Sequence, residues 1–228
     1  FQEYDLLAMP VVHNENRIVG IITIDDIVDV IEAENTEDIE IMAALHPSEG
    51  EYLKTGIWRL ARNRILWLLV MMISATFTGG IIGHYETLLQ NAVMLAIFIP
   101  MLMDTGGNCG AQASTLIIRG MAVGEIQLQD WARVLLKELG VGAIVALALS
   151  LVNLLRITIF TASDFRIDLV VTITLFITII FAKIIGCCLP LFAKLCKFDP
   201  ALMASPLITT VVDAFALIMY FSMASLLL

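Results

Sequence analysis

From Ile65 to the C-terminus, long apolar blocks alternate with short charged stretches. Five such blocks, at 65–85, 90–117, 134–156, 168–193 and 202–228, are each near the roughly 20 residues an α-helix needs to cross a bilayer. The upstream pattern is different. MPVV (Met9–Val12) reads as a short strand, HNENR as a polar turn, and IVGIIT (Ile18–Thr23) as a second strand. A helix follows, with Thr23 or Asp25 as its cap and Ile27, Val28, Val30 and Ile31 as its apolar positions. A further helix is expected to start at Asn35 or Thr36 and to end at His46-Pro47. The fold class is therefore an α-helical integral membrane protein with a small α/β segment and an acidic helix ahead of five spans.

Composition supports that reading. The chain is 59% hydrophobic and only 15% charged, where soluble domains carry about a quarter. The net charge of −9 hides a division. Residues 1–53 hold Arg17 against thirteen acids, and residues 54–228 hold twelve bases against nine acids. Ten of those acids fall between Arg17 and Lys54, where there is no base. Such a run is either a solvated face or, beside a membrane domain, a set of hard oxygen ligands for Mg²⁺ or Ca²⁺. No nucleic-acid partner is expected. Lys54, Arg59, Arg62, Arg64, Arg119, Arg133, Lys137, Lys194 and Lys197 gather on one side of the five spans. By the positive-inside rule that side, with the N-terminus, is cytoplasmic, and the C-terminus faces outside. The chain opens on Phe1 with no cleavable leader pattern, so a missing upstream part is expected.

Two spans carry polar stripes. At roughly 100° per residue, Asp104, Asn108, Gln112, Thr115 and Arg119 share an arc of about 80° on the second span. Gly106, Gly110 and Ser114 lie near the opposite face, where small residues let another helix approach closely. A break at Gly106-Gly107 would instead free carbonyls for water or a cation. In the fifth span Asp213 is the only charge between Pro200 and Leu228, and the hydroxyls of Thr209, Thr210 and Tyr220 flank it in projection, which makes Thr209 and Thr210 candidate pore residues beside it. A carboxylate this deep costs at least about 2.5 kcal/mol, so it faces water, a cation or a partner. Lys183 sits mid-span in the fourth block. A structural ion pair with Asp104 is one reading of both residues; ion binding at Asp104 and a gating role for Lys183 are the others.

Catalysis finds no support. His13, His46 and His84 are isolated, and no His-Glu-x-x-His helix is present. Cys109, Cys187, Cys188 and Cys196 lack metal-type spacing and read as small helix residues.

The residues now quoted resemble a known family. GGNCGAQASTLIIRGMAVGEI at 106–126 and DPALMASPLITTVVDAFAL at 199–217 are similar to the second- and fifth-helix signatures of MgtE-type magnesium transporters or channels. The segment 1–31, with its Gly-Ile-Ile-Thr-x-x-Asp run, resembles the C-terminal half of a CBS module, and 32–63 an amphipathic connecting helix with a juxtamembrane segment. Residues 64–228 would then be the pore domain. The resemblance implies a homodimer in the bacterial plasma (inner) membrane, its pore lined by the second and fifth helices. It implies that Asp213 holds a hydrated Mg²⁺ and that Asn108, with Gly106 and Gly107, forms a constriction. Glu32, Glu34, Glu37 and Asp38 would bind regulatory Mg²⁺ and close the pore when cytoplasmic Mg²⁺ is high. Thr23 and Asp26 match ribose-contacting positions of nucleotide-binding CBS modules, so ATP is a candidate ligand of the full-length protein. The same two residues also serve simply to start a helix. A broader divalent substrate (Co²⁺, Ni²⁺, Mn²⁺) and Na⁺-coupled Mg²⁺ exchange are the alternatives to a Mg²⁺ channel.

Overall fold

The computed structural model describes residues 1, 4–47, 52–161, 164–203 and 205–228, with the side chain of Ser205 set aside. Glu49 and Glu51 of the acidic run lie outside those residues. Two antiparallel strands, β1 (Ala8–Val12) and β2 (Ile18–Thr23), pair from Ala8 opposite Thr23, with an irregularity at Val11/Val12. Asn16 takes the left-handed conformation (φ 57°) in the turn between them, a region Asn tolerates better than most residues. Neither strand buries a residue.

Helix α1 (Ile24–Met42) begins with a capping box. The Asp26 carboxylate accepts from both the backbone N–H and the hydroxyl of Thr23, each at 2.8 Å. Those bonds hold the Asp26 carboxyl below its ordinary range, the backbone bond contributing most. The helix then runs unbroken through the second start expected at Asn35 or Thr36. Thr36 turns its hydroxyl back onto the Glu32 carbonyl at 2.8 Å, so it bonds within the helix and caps nothing. The end also comes earlier than His46-Pro47. Ala44 adopts φ 56° and the Leu45 N–H donates to the Glu40 carbonyl at 2.9 Å, a Schellman-type stop.

Five long helices follow: α2 (Ile57–His84), α4 (Met94–Ala122), α5 (Trp131–Phe160), α6 (Phe165–Leu195) and α7 (Ser205–Leu227), with a six-residue α3 (Glu86–Asn91) ahead of α4. The first four of the five overrun the expected spans at their charged ends. Arg59, Arg62, Arg119, Arg133 and Lys194 are helical, because helix bonding outlasts the apolar stretch and long basic side chains reach back to water. Among the described residues, four stretches are long and apolar enough to cross a membrane: 57–84, 128–160, 165–195 and 200–227. Helix α4 is equally long at 29 residues; its polar stripe keeps it out of that set.

The core is the triangle of α4, α6 and α7. Leu95, Phe98, Leu102, Leu175, Ile179, Val212 and Leu217 are buried there. Helix α5 packs on α6, while α2 touches mainly α7 and buries no residue of its own. Tyr220 is fully buried and its hydroxyl donates to the Leu95 carbonyl at 3.0 Å, tying α7 to the start of α4. Its hydroxyl is thereby committed to a tie between helices and is not offered to Asp213, which its projected position suggested. At the other end, Ile41 and Met42 of α1 pack against Ile118 and Ala201, seating the acidic helix on the bundle.

Candidate ion-conducting site

The two faces of α4 are sorted as the helical period requires. Gly106, Gly107, Cys109, Gly110, Ala113, Ser114, Ile117 and Ile118 are buried, and Asp104, Asn108, Gln112, Thr115 and Arg119 are all exposed. The glycines are the reason α4 lies so close to its neighbours. A Cβ on Gly106 would come within 2.6 Å of Thr178 on α6 and 2.9 Å of Val212 on α7. One on Gly107 would meet Thr209 at 2.9 Å, and one on Gly110 would meet Ile208 at 2.6 Å. Close packing of this kind takes the place of a hydrophobic drive between helices in lipid. The helix is continuous through Gly106-Gly107. These two glycines therefore sit on the packing side, and no break frees carbonyls there.

Within the exposed stripe the Asn108 amide donates to Asp104 at 3.1 Å. Asp213, half-buried on α7, stands within electrostatic reach of Asp104. The two carboxylates thus belong to one neighbourhood, with the Asn108 amide bonded to the first of them. Thr209 and Thr210 each donate to the Pro206 carbonyl at 3.0 Å, and Thr210 also approaches the Met71 sulfur of α2 at 3.9 Å. Thr209 points a methyl at Gly107, and Thr210 leans toward α2. Their hydroxyls serve the start of α7.

The expected pairing of Asp104 with Lys183 is replaced by another. Lys183, only 4% exposed, faces Glu138 of α5, with Nζ 3.8 Å from Oε2. A bare ammonium inside the bundle demands a counter-charge, and Glu138, one turn into the third apolar block, could have been read as its source. Lys183 thus lies away from the polar face of α4.

At the bundle end covered by α1, Glu34 and Asp38 meet Arg119, Lys194 and Asp199 around a cavity of about 620 Å³. Glu32, Glu34 and Glu37 are exposed and Asp38 is half-buried. Burial pushes the Asp38 carboxyl above its ordinary range; Asp199 and Glu34 add to the rise and Arg119 opposes it. Asp199 was missed in the sequence, although it opens the fifth-helix signature. Its carboxylate accepts from the Ala201 N–H at 2.8 Å, which fixes it at the turn where α1 docks. Among the described residues no three His, Cys, Asp or Glu side chains come together as a metal cage.

Length, apolarity and an oxygen-bearing face on one pair of helices define a membrane bundle of the class that includes cation carriers and channels. A family model described as divalent cation transporter matches residues 99–223, which include the whole polar stripe and Asp213. The chain belongs to that family, MgtE. A CBS-domain model matches residues 1–33. The magnesium transporter MgtE of Thermus thermophilus is 39% identical over 226 residues, covering 99% of this chain and 50% of that protein. The magnesium transporter MgtE of Bacillus subtilis is 33% identical over 228 residues, covering 98% and 49%. That of Enterococcus faecalis is 28% identical over 225 residues, covering 99% and 49%. The chain spans about half the length of the curated relatives it matches.

Proposed function

We propose that two copies of this chain form a path for hydrated Mg²⁺ into the cytoplasm, lined by α4 and α7 and carrying Asp213 from each copy. The observation that carries the reading is the exposure of Asp104, Asn108, Gln112, Thr115 and Arg119 on a bundle otherwise jacketed in apolar side chains. A polar face of that kind cannot be left against lipid tails. A second copy across a two-fold axis gives it an aqueous space and doubles the carboxylates around it. Mg²⁺ releases its water reluctantly, so carboxylate and amide oxygens acting through the hydration shell suit it better than a closed cage. An inside-negative potential supplies about 2.3 kcal/mol per charge per 100 mV, roughly twice that for a divalent ion, and the flow needs no other energy source.

Helix α1 acts as the gate. Its docked position brings Glu34, Asp38 and Asp199 together, so neutralising charge there favours docking. Cytoplasmic Mg²⁺, or a proton on Asp38, holds the cover down; with neither, repulsion among the ionised carboxylates lifts it. Thr23 and Asp26 serve as the helix cap in this reading, with ATP left to a complete module.

The test is Mg²⁺ flux into liposomes holding the chain, compared with Asp213→Asn at equal incorporation. Flux that falls at least tenfold in the variant supports the assignment. Equal flux in both moves the selective site away from Asp213.

A further inference from the structure

At the start of α2, His46 lies against the helix. The His46 N–H donates to the Asn63 carbonyl at 3.2 Å, holding the end of the acidic segment against the helix. Beside this contact lies a cavity of about 760 Å³, lined by Trp58, Arg59, Arg62, Trp67, Leu66 and Leu69 among others. It belongs to neither the polar stripe nor the gate cavity. Among the described residues, neither arginine has an ion-pair partner, and no acid lines the space.

The position of this cavity along the helix matters as much as its charge. Arg59 and Arg62 lie in the first two turns, and from Ile65 onward the helix is apolar for several turns. The cavity therefore straddles the boundary between the polar end of α2 and its membrane-length apolar part. Tryptophans prefer that level of a bilayer, guanidinium groups bind phosphate through paired N–H donors, and Leu66 and Leu69 remain exposed below them. A free phosphate ester would use the arginines and leave the apolar floor unused. A zwitterionic lipid would leave two guanidinium charges facing an extra ammonium.

We propose that this cavity is a site for one anionic phospholipid, its headgroup phosphate held by Arg59 and Arg62 and its acyl chain lying along Leu66 and Leu69. The lipid anchors His46, just beyond the gate helix, to the inner leaflet.

The chain has three tryptophans, so Trp131→Phe leaves Trp58 and Trp67 as reporters in the cavity. That variant is reconstituted in nanodiscs, and its fluorescence is followed as brominated phosphatidylglycerol or brominated phosphatidylcholine replaces unlabelled lipid. The anionic lipid should quench at roughly a 25-fold lower mole fraction, with each arginine contributing about fivefold. Arg59→Gln with Arg62→Gln should abolish the preference, at about fivefold per arginine, whereas Arg166→Gln at the far end of the bundle leaves it intact. Should the double variant fail to reconstitute, Arg62→Gln alone should lower the preference by about fivefold, and a preference unchanged in it overturns the proposal. Equal quenching by the two lipids overturns the proposal, as does a preference that survives loss of the arginines. Loss of the preference on adding soluble glycerol phosphate assigns the cavity to a free phosphate ester and also overturns it. Absence of quenching by either lipid, as when a second copy of the chain covers the cavity, does the same.

Discussion

Asp104 of α4 and Lys183 of α6 each sit deep within an apolar run, and the two charges meet opposite fates. Asp104 of α4 is exposed, with Asn108 of its own helix as its hydrogen-bond donor. Lys183 of α6 is enclosed and faces Glu138 of the neighbouring helix. Elsewhere in the bundle, too, polar side chains are closed in: Ser150 and Asn153 of α5 and Thr174 and Thr178 of α6 are buried. The α4 stripe is polar and open. A charged residue inside a span therefore marks either a surface built to face water or an internal tie, and the neighbouring helix decides which.

The comparison breaks most clearly at Lys183. Lys183→Met leaves Glu138 buried without its counter-charge and should cost about 3–5 kcal/mol, read as a lowered unfolding midpoint in detergent. Lys183→Met combined with Glu138→Gln should recover most of that loss; additive losses would undo the pairing. Asp104→Asn, on the open face, should change stability by no more than about 0.5 kcal/mol.

A smaller effect sharpens the contrast on the packing side. A Cβ on Gly186 of α6 meets the Gly110 carbonyl head-on, whereas one on Gly110 meets the Ile208 branch methyl at 2.6 Å and the Ala182 carbonyl only at 3.3 Å. Both Gly186→Ala and Gly110→Ala should cost about 1–3 kcal/mol, with Gly186→Ala, which meets backbone most closely, the larger of the two. Equal thermal shifts would mean that the α4–α6 approach is looser than these contacts require.

The smallest effect lies at the gate. The Asp38 carboxyl is raised, so its ionised form opposes docking of α1. Docking is fully favoured below the ordinary aspartate range and weakens as pH rises through the raised value. Crosslinking between α1 and the Asp199 turn, in Mg²⁺-free buffer, should fall as pH rises through that window. Asp38→Asn should remove the dependence. A pH response that persists in the variant would place the titrating group elsewhere.

Much of this architecture was legible because period and polarity report directly on which side of an element meets water. The strands, the Thr23 start of α1 and the two faces of α4 follow from local pattern alone. Contacts between distant segments did not. Lys183 announces that it needs an acid without naming one, and Tyr220 projects beside Asp213 although its hydroxyl bonds Leu95, 125 residues away. Thr36 misled for a local reason: a hydroxyl ahead of two acids is a start signal only when the preceding residues are not already helical. Asp199 was passed over because its role depends on where α1 docks.

The central claim is that the exposed face of α4 is wet, whereas the equally exposed faces of α5 lie against lipid. Its most direct test is thiol accessibility in membranes, with the four native cysteines replaced and single cysteines set at Asn108, Gln112 and Thr115 on α4 and at Leu147 and Val152 on α5. All five positions are exposed on the single chain. The account predicts that a charged, water-soluble thiol reagent modifies the three α4 positions, with Mg²⁺ slowing the reaction, and leaves the two α5 positions untouched. Modification of α5 with protection of α4, or equal protection of both helices, would contradict it.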